Sequence, residues 1–531
     1  MVNETSPTCV NPILWEDLPD MEVIRVDDVY YMSASSFHFS PGAPLLRSYN
    51  LVDWEYIGHS VPDLAASSPK FRLDGKNALG YIKGVWASTL KYRKSNGLFY
   101  WYGAIQGTNE TLIYTAKNPS GPWAAHPPIE HYYYDCGVLI DKDDSFYMAY
   151  GTKTIHVAKL SADGLTQVST QPVHESEHFL EGARMYNIKG KYYIWLTKPW
   201  AGQYVLKSEN GPLGPYECRN VVGSISAPVP GAGPPHQGGI VETADGKWYY
   251  MAFIDAFPAG RIPVLAPVEF DSEGWPSIVA DYPDKCGQWR VEYPPAVENC
   301  RAEKPKTCWR EHSFTGKLEH CWEWNQSPDN SKWSIESNQL VLETAAVTDC
   351  LYLAPNTLTH RTLGPSSTAT FCVNWAKLKD GDRAGASIFR DHSAYIGIHK
   401  DGDKAKLVYV EDLTLGPIGK LVNWLDGRPV AGDWGVTSKG SVKAETPLTQ
   451  QRLWLRVHVN VAAACVDGYE KEPRQATFDY SFDGATFERF GPVFTLVNAG
   501  DGWIGYRFAV FNFATKALGG QLTVESCTIE K

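Results

Sequence analysis

The chain has 531 residues, more than one hydrophobic core usually accommodates, and 43% of them are apolar, enough to fill two domains. A formal net charge of −11 argues against nucleic acid or an anionic membrane surface as partner, so the expected substrate is neutral or cationic. No run of 18 apolar residues offers a membrane span, and neither a phosphate-cradling loop nor a redox motif calls for a nucleotide or redox cofactor.

The opening MVNETSP lacks the basic and apolar regions of a secretory signal, while N-x-S/T sequons at Asn3, Asn109 and Asn325 suit an extracellular protein, which is the expectation here. Eleven cysteines without C-x-x-C pairs or zinc-type spacing point away from a structural zinc site. A monomer is expected.

From Glu22 onward one pattern recurs five times: a short strand, a polar turn, a Tyr-rich strand, then a third strand. EVIRV, VYYMS and PLLRS form the first copy, and STLKY, LFYWYG and TLIYTA the second. GVLID, SFYMAYG and IHVAKL follow, then ARMYNI, KYYIWL and QYVLKS, then GIVET, KWYYMAF and IPVLAPVEF. Tyr31, Tyr100, Tyr147, Tyr193 and Tyr250 mark the copies, spaced as propeller blades are. Stacking five small sheets would leave open edges, whereas a ring leaves only short protected ones. The predicted fold is therefore all-β, with a five-bladed β-propeller over residues 10–300.

The Pro- and charge-rich passage VEYPPAVENCRAEKPKTC breaks the pattern. Beyond it, alternating segments such as SNQLVLET, TATFCVNW, RLWLRVHV and GWIGYRFAVFNF predict a C-terminal β-sandwich of the jelly-roll type over residues 310–531.

In a propeller the first strand of each blade lines the central channel, so the residues just ahead of the five first strands point toward one axis. Those residues are Asp20, Trp86, Asp135, Glu181, and His236 with Gln237. Any single Asp or Glu ahead of a strand is accounted for by turn capping. Three at equivalent positions require either a bound cation or acid and base groups with different proton affinities. Glycoside hydrolysis uses such a set: one protonated carboxyl for the leaving oxygen, one carboxylate to activate water, and a third charge that keeps the donor protonated.

NPILWEDLPDMEVIRVDDVYYMSASSFHFSPGAPLLRSYNLVDW, GVWASTLKY, YDCGVLID, EGARMY, PHQGGIVE and GRIPVLAPVEFDSEGWP occur in the order found in glycoside hydrolase family 43, which the chain resembles over most of its length. The resemblance implies an inverting mechanism with Asp20 as general base, Asp135 as pKa modulator and Glu181 as general acid. Asp17 is the competing base candidate. Met21-Glu22 departs from the Pro-Asp or Pro-Ser of many relatives and is expected to reshape the pocket rim. Phe37, His38, Trp86, His236 and Arg261 are the expected substrate-binding residues, and the family's axial water or calcium would lie at His236.

Within the family, SPGAP and the long sandwich resemble fungal α-L-arabinofuranosidases that trim arabinoxylan, so hemicellulose is the expected partner, with β-xylosidase as the alternative. Sucrose- and fructan-cleaving propellers share the architecture, but their N-D-P-N-G, R-D-P and E-C signatures are missing. A non-catalytic sugar-binding propeller would not need an intact acid and base. The sandwich is expected to support the propeller and to wall one side of the active-site groove.

Overall fold

The computed structural model describes residues 8–73, 80–283, 286–298, 311–312, 314–422, 429–466, 468–500 and 502–531, leaving the Asn3 sequon outside. Helices among these residues are four short 3₁₀ turns, and no helix is long and apolar enough to cross a membrane. All else that is regular is β-strand.

Five four-stranded antiparallel sheets form the propeller. Their first strands are Glu22–Val26, Gly84–Arg93, Gly137–Ile140, Glu181–Ile188 and His236–Glu242. The Tyr-rich second strands are Val29–Ser33, Leu98–Gln106, Phe146–Gly151, Lys191–Lys198 and Trp248–Asp255. Each blade also has a fourth strand that the three-strand pattern did not include: Glu55–Val61, Ala124–Ala125, Gln167–Glu175, Glu217–Val222 and Pro276–Ile278. The outer strand of blade three, QVSTQPVHE, is largely exposed, so it carries little hydrophobic alternation to read.

Every blade is built from one contiguous stretch of chain, so the ring has no shared strand to close it. Asn11 substitutes for one. Its side chain donates to Leu265 O (2.9 Å) and Arg290 O (3.1 Å) and accepts from Leu265 N–H (2.8 Å), while Cys9–Val10 pairs with Glu292–Tyr293. On the axis, the fully buried Arg184 donates to Ser88 O, Cys136 O and Asp20 O, tying blades two and three and the approach to blade one to its own blade, the fourth. Losing this strut would leave three buried carbonyls unpaired at about 1–3 kcal/mol each.

The sandwich begins at Glu311–His312, after the propeller's last strand Pro276–Ile278 and two short bridging pairs. Its two sheets face each other across Phe371, Val373, Ile388, Ile396, Leu455, Val457, Phe478, Val510 and Val524. Arg452–Asn460 shows the alternation that announced it, with Leu453, Leu455, Val457 and Val459 buried between more exposed neighbours. The domains interlock, because Phe39–Ser40, between the second and third strands of blade one, pairs with Trp324–Asn325 as the edge strand of a sandwich sheet. Behind that strand the fully buried Glu323 pairs with Arg507 (2.7 Å), Arg361 (3.1 Å) and His59 (3.1 Å), holding its carboxyl well below the usual range. A buried charge of this kind is tolerated only when its partners stay in place.

Candidate active site

Asp20, Asp135 and Glu181 come together at the axial ends of blades one, three and four, close enough that their charges act on one another. Local backbone geometry aims them. Asp20 (φ 56°) and Asp135 (φ 49°) sit in the left-handed region just ahead of their strands, a conformation Asp tolerates better than most residues. Glu181 differs from the sequence expectation. It is the first residue of its strand, followed by Gly182 at φ 72° and an irregularity in strand register. Trp86 and His236 likewise lie within first strands at such irregularities. An extra residue there re-aims a side chain that regular pleating would point elsewhere.

The three carboxyls have different surroundings. Asp20 accepts from Arg261 Nη1 (2.9 Å) and Nη2 (3.2 Å) and from Ser35 Oγ (2.7 Å); all three partners donate, which suits the anion. Glu181 accepts from Tyr134 OH (2.8 Å), and burial, opposed by that bond and reinforced by the Asp20 charge, pushes its carboxyl up to about 7. Asp135 is raised well above the ordinary range by burial and then by the Glu181 and Asp20 charges, with Gln237 Nε2 at 3.4 Å. Tyr134, buried beside both carboxyls, is raised as well and keeps its proton for Glu181.

The raised Glu181 carboxyl has a cost in stability. The folded state holds its proton up to about pH 7 and the unfolded chain releases it near 4.5, so stability falls as pH rises between those values. The full penalty, present above pH 7, is about 3 kcal/mol at most. Glu181→Gln is therefore expected to raise the melting temperature at pH 8 and to leave it nearly unchanged at pH 4.5, as scanning calorimetry would show. Equal shifts at both pH values would contradict the raised carboxyl.

Arg261 reaches the site, with its guanidinium over Phe37 (5.4 Å) and Phe253 (4.9 Å). Phe37 also packs on the half-buried Trp86 (5.9 Å), whose indole N–H is held by Ile82 O. His38, expected on the wall of the sugar pocket, instead faces a small cavity shared with the sandwich residues Phe389, Trp434 and Ile504. It is 1% exposed, packs on Phe39 and Tyr81 against the sandwich, and accepts from Ile82 N–H, and burial and Arg507 bring its ring down to about 3. The cause is the Phe39–Ser40 edge strand, which carries His38 toward the second domain, a pairing no local pattern announces.

Met21 and Glu22 do not shape the rim either. Both are fully buried, and Glu22 accepts from Leu90 N–H (2.9 Å), pairs with Lys91 and lies 3.7 Å from Arg184. Asp17, the other base candidate, has both oxygens occupied by backbone N–H groups of Arg261 and Gly505.

His236 Nδ1 is bonded to Pro234 O, and its Nε2 lies 3.7 Å from Asp255 Oδ2, a buried oxygen with no hydrogen-bond partner. One imidazole and one carboxylate, packed against Phe253, do not fit calcium, which takes six to eight oxygens. Sequence reading missed Ser35, Tyr134, Asp255 and the sandwich's Trp503, whose carbonyl accepts from Arg261 Nε (3.3 Å). Tyr134 alone carried a signal, because it directly precedes Asp135.

A propeller that gathers at its axis one carboxyl receiving three donated bonds and another raised by burial, with a sandwich beside it, has the layout of a glycoside hydrolase of the two-carboxyl kind. Residues 9–276 match glycosyl hydrolases family 43, and residues 312–423 match the β-xylosidase C-terminal concanavalin A-like domain. The chain belongs to glycoside hydrolase family 43.

Among solved structures, a family 43 enzyme engineered to display both endo-xylanase and exo-arabinofuranosidase activity is 42% identical, with a TM-score of 0.91 over 99% of this chain and 100% of that one. A β-xylosidase of Formosa agariphila is 27% identical over 98% of this chain and 90% of its own length. A non-reducing-end α-L-arabinofuranosidase of Bacteroides ovatus is 25% identical over 77% and 79%. These relatives carry both sugar names and do not single out the fungal arabinofuranosidases.

Proposed function

We propose that the protein is an inverting, exo-acting hydrolase that releases terminal L-arabinofuranose from arabinoxylan side chains. Asp20 acts as general base, Glu181 as general acid and Asp135 as the group that keeps the acid protonated. The observation that carries this reading is the unequal treatment of the carboxyls: Asp20 receives three donated bonds, while Glu181 is held near 7. Glu181 protonates the leaving oxygen as Asp20 removes a proton from water, and Arg261 holds Asp20 in place.

Beside the site, a cleft of about 640 Å³ is lined by Trp200 and Asp255 of the propeller and by Asn498 and Trp503 of the sandwich. It supports a polymeric substrate and a sandwich that walls the groove, since exposed indoles suit sugar faces. The same pocket chemistry suits a terminal xylopyranose, and the β-xylosidase names among the relatives favour that second reading. Chromatography of the sugar freed from arabinoxylan, with NMR of the first anomer formed, decides between them. Arabinose of inverted configuration supports the proposal, and xylose replaces it with β-xylosidase. Absence of product from any pentosan would leave a sugar-binding protein. An extracellular monomer without a required cofactor completes the proposal.

Because Glu181 titrates near 7, activity is expected to fall as pH rises through that value. Glu181 and Asp135 repel one another when both are charged, so Asp135→Asn, which relieves that repulsion, should move this alkaline limb to lower pH. An unchanged limb in the pH dependence of kcat/KM would remove Asp135 from the modulator role.

A further inference from the structure

Asp17 lies three residues before Asp20 and is 3% exposed. Its Oδ1 accepts from Arg261 N–H and its Oδ2 from Gly505 N–H, both at 2.8 Å, so one carboxylate bridges the last inner turn of the propeller and the sandwich. The main chain repeats the contact: Leu18 N–H donates to Arg261 O (3.0 Å), and Arg361 Nε of the sandwich donates to Asp17 O (2.8 Å).

Two glycines make room for this clamp. A Cβ on Gly260, at φ 108°, would stand 2.3 Å from Asp17 Oδ1, and one on Gly505 would stand 1.9 Å from Ala259 O. Arg261 is thus held at its amide by Asp17 and at its carbonyl by Leu18. Its Nε is held by Trp503 O, and its two terminal nitrogens meet Asp20. A carboxylate suits the position because it accepts from two N–H groups at once, whereas an amide offers one oxygen and sets its NH₂ against the other donor.

We propose that Asp17 is a positioning residue through which the sandwich fixes Arg261 against Asp20, so that the second domain takes part in presenting the general base. The proposal rests on the reading of Asp20 as the base. Displacements of about 1 Å at a reacting group cost up to about 10²-fold in rate, so a loosened clamp acts on turnover more than on binding.

Asp17→Ala is expected to lower kcat about 10–100-fold with KM little changed, and Asp17→Asn should recover part of the loss. The factor should be the same for an aryl pentoside with a good leaving group and for an oligosaccharide, because the base acts on water whatever departs. Gly505→Ala pushes the sandwich loop off Ala259 and pulls its N–H from Asp17 while keeping the Asp17 carboxylate itself, and should reproduce the kcat loss, which keeps the test available if Asp17→Ala does not fold.

A lower melting temperature with unchanged kcat in the folded variants would make the clamp purely structural and overturn the proposal. So would a loss that deepens with poorer leaving groups. Near-normal turnover of Asp20→Asn would instead bring down the underlying base assignment, whatever the Asp17 variants do.

Discussion

Glu181→Gln is expected to lower hydrolysis of arabinoxylan by about 10²–10⁴-fold while costing much less on aryl glycosides. A sugar oxygen leaves poorly as an alkoxide and needs the proton that Glu181 holds up to about pH 7, whereas a nitrophenolate departs without it. Glutamine keeps the shape and the contact with Tyr134 but has no acidic proton to give. Steady-state rates on the two substrate types measure the difference directly. Equal losses on both would mean that another group protonates the leaving oxygen. The alkaline limb near pH 7 should also vanish in the variant, because the group that titrates there is gone.

Asp20→Asn should remove activity on every substrate, by a factor of the same order, because water must be activated whatever the leaving group. The fold should survive. Asn adopts the left-handed conformation that position 20 requires, and the backbone carbonyl of residue 20 keeps its bond to Arg184 Nη2 (2.7 Å). Circular dichroism and melting temperature would establish that the inactive variant is folded. Near-normal turnover would pass the base role to another group. Asp17 is a poor candidate, since both its oxygens already accept backbone N–H bonds.

The cleft between the domains bears on substrate size. Trp200 and Trp503 expose their indoles on opposite domains, and Asp255 Oδ2 and Asn498 Oδ1 are buried acceptors without partners along the same walls. Such acceptors are costly unless a hydroxyl or water meets them. This suits a long neutral sugar polymer better than a disaccharide, and it agrees with the absence of net positive charge.

The five blades were legible because each second strand packs its tyrosines and aliphatics between neighbouring sheets, and burial on both faces leaves a repeating apolar run. Register then nominated Asp20, Asp135 and Glu181, since strands lining one axis must start from one mouth. The fourth strand of blade three was not legible, because solvent exposure along its length imposes no periodicity on QVSTQPVHE. His38 was misplaced for a different reason. Its segment reads as a loop of blade one, and only the pairing of Phe39–Ser40 with Trp324–Asn325, nearly three hundred residues away, turns it into the edge of the second domain.

By itself the sequence determined the all-β class, the number of blades and the three acidic positions that converge, because these follow from periodicity and from the type of residue at each strand start. Tertiary structure decided how each carboxyl behaves. Arg261 is brought to Asp20 from 241 positions away, Tyr134 and Gln237 are set against Glu181 and Asp135, and Gly505 reaches Asp17 across 488 positions. Burial and the placement of charge are properties of the assembled ring, and no local stretch of chain encodes them.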